Sequence, residues 1–249
     1  MNIDSNKKEC IAARKLNFKR KRFLKLKGAK TRLSYIHSTI EIDHGNINAE
    51  YNEQIMAVRY IKPHHRVLEI GSNIGRNSLV IATILKNPQQ LVTLESSPEI
   101  YEQLLENKNK NKLNFISENK ALSYKSLIQK DWQTIPSDIL LDGYHKVDTI
   151  TFQELEAKYN IEFDTLVLDC EGAFYYILKD YPCMLKKIKL ILMENDYTDI
   201  QHKKYIDNTL KKSGFRTVFK RPAKFTTTMS FVCMRNFYEV WKRVGKKKK

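Results

Sequence analysis

Four short, mostly apolar runs constrain this chain more than any other feature. Val67–Ile70, Leu91–Leu94, Thr165–Leu168 and Leu190–Met193 are each too short for a helix, and helical patterns separate them. Runs apolar at successive positions are buried on both faces, so the pattern expects a mostly parallel α/β sheet covered by helices on both sides. An acid stands at or near the end of each run: Glu69, Glu95, Asp169 and Glu194. Ligands of such sheets bind beyond the carboxyl ends of the strands, so these acids mark the expected site.

The remaining elements follow from local signals. Tyr51, Ile55, Val58 and Tyr60–Ile61 have helical spacing, with Asn48 as the expected cap and Pro63 as the stop. Further helices are expected over Ser78–Leu85, from Pro98 to about Lys110, over Phe152–Tyr159 and Ala173–Leu178, and over Asp199–Lys212 with Gly214 closing it. Phe115–Ser117 reads as a third strand, Tyr124–His145 as an insertion or long loop, and Arg216–Lys220 with Ser230–Arg235 as a terminal antiparallel pair. The expected organisation is a basic N-terminal extension over 1–45, one catalytic domain over 46–240 and a basic tail over 241–249.

The chain has 249 residues, with 44 Lys and Arg against 28 Asp and Glu, a formal net charge of +16. Two readings of this excess stand: anionic partners such as nucleic acid, or the Lys, Asn and Ile enrichment of an AT-rich genome, viral or cellular. Much of the charge lies at the ends, in Lys7–Lys30 and the closing GKKKK, where a solvated tail competes with an arm that binds nucleic acid. The 4 cysteines form no CxxC pair, no run approaches a membrane span, and a reducing cytoplasmic compartment is expected.

The stretch VLEIGSNIGRNS points to the ligand. Gly71 permits a positive φ and Gly75 a close backbone approach, but Asn73 breaks the G-x-G-x-x-G dinucleotide fingerprint. Glu69, just before the turn, would repel a phosphate and suits a cationic ligand. Glu95 can accept both hydroxyls of a ribose. S-adenosylmethionine combines an ammonium, a sulfonium and a ribose diol without phosphate, and is the expected cofactor.

The ordered set IGSNIG, LESSPEIYEQLLENKNKN, NKALS, VDTITFQELEAKYN, LVLDCEGAFYYIL and LILMEND resembles the FkbM family of class I S-adenosylmethionine-dependent methyltransferases over about Tyr60–Phe215. The resemblance implies a Rossmann-like fold with a seven-stranded sheet and a terminal antiparallel hairpin, and methylation of a sugar hydroxyl. It implies that Glu69, Gly71 and Asn73 meet the methionine moiety, that Glu95 holds the ribose, and that Ser96 and Ala121 lie by the adenine. Gly75 and Ser78 complete the expected cofactor set.

For the transfer itself, Asp169, Glu171 and Glu194 are the expected catalytic residues. Asp169, Glu194 and Asn195 form a hard-oxygen set that suits Mg²⁺ or Mn²⁺, resembling the site of catechol O-methyltransferase-like enzymes, and EQIM at Glu53–Met56 echoes that group faintly. A metal-free reading, with Asp169 as general base, stands beside it. His145 and His202 are weaker candidate bases, and Cys170 reads as a small buried thiol. Trp132, Tyr144 and Tyr197–Lys204 are expected to shape the acceptor pocket. The expected acceptor is a sugar or glycan hydroxyl; the alternative is an RNA ribose 2′-hydroxyl bound through the basic surface.

Overall fold

The computed structural model describes residues 17, 18, 20–223 and 231–245. In chain order its elements are α1 (Ala29–His37), α2 (Tyr51–Tyr60), β1 (Val67–Ile70), α3 (Arg76–Ile84), β2 (Leu91–Leu94), α4 (Pro98–Lys110), β3 (Ile116–Glu118), β4 (Ala121–Leu122), β5 (Leu127–Lys130), β6 (Gln133–Pro136), β7 (His145–Val147), β8 (Thr149–Ile150), α5 (Phe152–Tyr159), β9 (Thr165–Leu168), α6 (Phe174–Asp180), β10 (Leu190–Glu194), α7 (Ile200–Lys212), β11 (Phe215–Arg221), α8 (Phe231–Arg235) and β12 (Tyr238–Arg243).

Seven strands form the main sheet in the order β11-β12-β10-β9-β1-β2-β3. Strands β3, β2, β1, β9 and β10 are parallel, and β12 lies antiparallel between β10 and β11. The chain winds outward from β1 in one direction and from β9 in the other, so the β1/β9 junction is the topological switch point where such folds bind ligands. Alternate strand residues face opposite layers. Leu68, Val92, Leu166 and Ile191 pack with α5, α6 and α7, whereas Val67, Leu91, Val167 and Leu190 pack with α1, α2 and α3. Phe23, Leu33 and Ile36 belong to that second core, so part of the basic N-terminal segment packs into it.

Local chemistry sets the helix starts. Ser97 caps α4 ahead of Pro98, Thr151 and Glu154 form a capping box on α5, and Asp199 caps α7. Asn48 does not cap α2: the helix begins after Glu50, with no side-chain cap bond.

Two expectations need correction. Residues 124–145 form an insertion and not a long loop: β5, β6 and β7 make a separate antiparallel sheet in the order β6-β5-β7, and β4 and β8 form a short parallel pair. The strands are short and half-exposed, which leaves little apolar alternation to read. The terminal pair is β11 with β12, not with Ser230–Arg235; Phe231–Arg235 is helical, Ser230 lies outside the described residues, and the pairing strand is Tyr238–Arg243 with Val240 and Trp241 in the core.

Candidate active site

A cleft opens at the carboxyl ends of β1, β2 and β9, roofed by the small sheet of β5, β6 and β7. It encloses about 1130 Å³, its open mouth included. Gly71 lines its floor with φ +81. The N–H groups of Gly71 and Ser72 both donate to the Leu94 carbonyl at 3.1 Å, tying the turn to the end of β2. Asn73 itself takes a positive φ of 50. Its N–H donates to Oε2 of Glu95 at 2.8 Å, while the Ser97 N–H donates to Oε1 at 2.9 Å.

Glu95 is therefore fixed from both sides. Burial raises its pKa, and the backbone N–H groups of Ser97, Asn73 and Ser96 oppose that rise by stabilising the carboxylate. Each carboxylate oxygen has two lone pairs, so one bond apiece leaves further acceptor capacity toward the cleft. Leu94, Ala121 and Leu122 supply apolar wall beside it, and Ser96 also lines the cleft.

Glu69 takes a different position from the one expected. It is the third residue of a four-residue strand, on the face toward α3. Its Oε2 accepts from the Ser78 hydroxyl and, at 2.8 Å, from Thr93 Oγ1. Glu69 is 2% exposed and Ser78 0%. Neither lines the cleft; burial pushes Glu69 up to about 8, against the pull of its two hydroxyl donors. Gly75 is also off the cleft: it precedes α3 in the left-handed conformation, under Leu104 of α4. The expected cofactor set thus divides: Gly71, Asn73, Glu95, Ser96 and Ala121 face the cleft, and Glu69, Gly75 and Ser78 brace the turn from behind.

Asp169 and Glu171 line the cleft at the end of β9. Glu194 does not. It faces a small cavity behind Gly71, whose wall includes Glu53, Asp169 and Glu194. One carboxylate oxygen from each of these three lies within 4.8 Å of the others. Burial, then neighbouring carboxylates, raise the pKa of this group: Glu53 to about 7, Asp169 to about 7, and Glu194 well above its ordinary range. Asp169 and Glu194 are hydrogen-bonded to each other through their carboxyl groups.

Asn195 does not join them. Its Nδ2 donates to the Asn236 carbonyl at 2.6 Å, so its amide braces the segment before β12. Glu53 on α2 takes its place. The signal for Glu53 lay in the sequence as an acid among the buried residues Gln54, Ile55 and Met56 of one helix. Glu171 has φ 49 and a pKa raised by burial, and Asp196, pushed up to about 8, accepts from the Gly172 N–H at 2.9 Å.

At the mouth stand Trp132, in the β5–β6 turn, and Tyr176 on α6, 53% and 50% exposed. Lys125 lies there too and pairs with Asp180 at 2.9 Å. Tyr144 turns outward, its hydroxyl donating to Gln133. Tyr197 is buried in the core, and the His202 ring stacks on Tyr175 at 3.7 Å, so the Tyr197–Lys204 segment supports α6 instead of lining the cleft. His145 is exposed on β7, outside the cleft. Burial pushes the Cys170 thiol up, which keeps it protonated.

A family model described as protein-L-isoaspartate(D-aspartate) O-methyltransferase matches residues 4–125. No curated protein matches the sequence. Among solved structures, a candidate RNA methyltransferase from Pyrococcus horikoshii aligns at 12% identity and TM-score 0.50, covering 90% of this chain and 100% of that one. A candidate O-methyltransferase from Klebsiella pneumoniae aligns at 13% identity and TM-score 0.49, covering 92% and 96%. The ribosomal protein L11 methylase of Lactobacillus delbrueckii subsp. bulgaricus aligns at 13% identity and TM-score 0.48, covering 82% of each chain. At these identities the likeness is one of fold.

The fold is that of the class I methyltransferases. The family match spans just under half of the chain. The cleft's donors suit S-adenosylmethionine by their chemistry: a fixed carboxylate with spare acceptor capacity for a diol, beside apolar wall for a flat base. The match ends at residue 125, before β9, and so takes in β1, β2 and the Gly71 turn and not Asp169, Glu171 or Glu194. No helix among the described residues is long and apolar enough to cross a membrane.

Proposed function

We propose that the chain transfers the methyl group of S-adenosylmethionine to a hydroxyl of a sugar or glycan. The observation that carries this reading is Asp169. This residue lines the cleft at the topological switch point, and burial among other carboxylates raises its pKa to about 7. A hydroxyl is a poor nucleophile until its proton leaves, and a base poised near the working pH is the group that takes it. Methyl transfer otherwise needs only alignment of the nucleophile with the sulfonium methyl.

The surroundings favour a neutral polyol. Asp169 and Glu171 give the acceptor side an acidic character that disfavours a carboxylate or phosphate close to the methyl, while Asp180 is paired with Lys125. Trp132 and Tyr176 offer rings on which the C–H face of a sugar can lie. Glu95 would hold the ribose, Ser96 and Ala121 would flank the adenine, and Gly71 and Asn73 would meet the methionine end. The FkbM-like motif order supports the same acceptor class. A ribose 2′-hydroxyl of RNA is the second reading, favoured by the net charge of +16.

The test is transfer of radiolabelled methyl from S-adenosylmethionine to parallel panels of neutral sugars, glycans and RNA. Alkali-stable label on a neutral sugar supports the proposal. Label confined to RNA, and lost with added salt, replaces it with the second reading.

A further inference from the structure

The small cavity behind Gly71 has a composition that the methyl-transfer reading does not use. Five carboxylates border it, and two are already committed: Glu50 pairs with Arg76 at 2.7 Å, and Glu69 takes the hydroxyls of Ser78 and Thr93. The other three, Glu53, Asp169 and Glu194, turn oxygens toward one another within 4.8 Å. Oxygens bound to one ion at about 2.1–2.4 Å stand about 3–4.8 Å apart, so the three can share one ion with little movement.

A second, independent observation concerns Asn77 on α3. It lines the same cavity and is 6% exposed, yet its Oδ1 has no hydrogen-bond partner among the described residues. A buried amide oxygen without a donor costs free energy unless something positive meets it. The cavity is small, with room on the scale of one water or one bare ion.

We propose that a divalent cation of the Mg²⁺, Mn²⁺ or Ca²⁺ class binds in this cavity, held by carboxylate oxygens of Glu53, Asp169 and Glu194 and by Oδ1 of Asn77. All four donors are hard oxygens, with neither His nor Cys among them, which selects against zinc and copper. The ion joins α2, α3, β9 and β10, four elements that otherwise meet there through like charges. The location differs from a chelate at the acceptor, because of these donors only Asp169 also lines the cleft. The ion therefore sits behind the methyl-transfer position and fixes the Asp169 carboxylate facing it. That last role rests on the function proposed above; the binding site does not.

The experiment uses the full chain after treatment with chelator, without cofactor. Mn²⁺ is titrated calorimetrically, and melting temperature is followed with Mn²⁺, Mg²⁺ and Ca²⁺. The expected result is one Mn²⁺ per chain, and a rise of about 5 °C at Mn²⁺ a hundredfold above its Kd. Glu53→Gln and Asn77→Leu are each expected to weaken binding at least tenfold while still melting cooperatively, and Asn77→Asp to retain it. Absence of binding at millimolar metal overturns the site, as does unchanged affinity in both weakening variants. S-adenosylhomocysteine titrated in parallel separates the two proposals. Cofactor binding that itself depends on Glu53, without any response to metal, assigns the cavity to the methionine ammonium and overturns the cation. Metal binding without cofactor binding keeps the cation and removes the methyl-transfer reading.

Discussion

The carbonyl oxygen of Asp169 lies 1.6 Å from where a Cβ on Gly71 would stand. The ends of β1 and β9 approach so closely that the turn after β1 admits only a hydrogen at this position. The same contact separates the cleft from the acidic cavity, since Gly71 and Asp169 line both. Gly71→Ala must displace the β9 backbone and also adopt φ +81. We expect it to cost about 3 kcal/mol or more and to abolish S-adenosylhomocysteine binding. Urea denaturation and calorimetry check the pair; a variant of wild-type stability that still binds contradicts the contact.

Asp169→Asn removes the proton acceptor while keeping the side chain's shape. The expected loss in kcat is about 10²–10⁴-fold with cofactor affinity nearly unchanged. In the metal-free chain kcat is expected to rise with pH through about 7 as Asp169 ionises; a cation on its carboxylate moves that rise to lower pH. Rates that stay within threefold of wild type in the variant would remove Asp169 from the chemistry.

Glu69 gives a stability prediction with a definite sign. Its folded pKa is about 8 against an ordinary 4.5. The folded chain thus keeps a proton that the unfolded chain gives up, so this contribution is present below 4.5 and is lost as pH rises through 8. The slope for one full proton is about 1.4 kcal/mol per pH unit. Glu53 and Asp169, each raised to about 7, act in the same direction. Glu69→Gln is expected to flatten the fall in melting temperature between pH 5 and 8 without removing it. Parallel curves for the two proteins would show that Glu69 titrates normally.

Trp132→Ala tests the acceptor side. The ring is half-exposed at the mouth, so its loss costs little stability. The acceptor KM is expected to rise about tenfold, equivalent to about 1.4 kcal/mol of stacking, with the Kd for S-adenosylhomocysteine unchanged. An equal loss of both would place Trp132 against the cofactor.

Much of this site was legible in the sequence, and the misses share one physical cause. The strands β1, β2 and β9 carry uninterrupted apolar runs, so their bounds and the acids beyond them, Glu95 and Asp169, could be read directly. Glu69 misled because proximity to a glycine turn was read as the end of the strand. Its place within β1 turns it onto the α3 face, toward Ser78. Asn195 misled for the same reason: the residue after Glu194 points across the sheet to Asn236. Glu53 and Asn77 reach the site from helices remote in sequence, and only the packing of α2 and α3 against the β9 and β10 ends brings them together. The β5–β7 sheet was missed because its strands are too short and too exposed to carry a periodic signal.

The account stands most directly on Glu95, held by the Asn73 and Ser97 N–H groups at the edge of the cleft. Calorimetric titration of S-adenosylhomocysteine into wild type and Glu95→Ala is the measurement to make. We predict micromolar binding to wild type, weakened at least tenfold in a variant that still folds, as expected for two charge-assisted bonds to a diol. No binding to the wild-type chain, or equal binding to both proteins, would contradict a cofactor site built on this carboxylate.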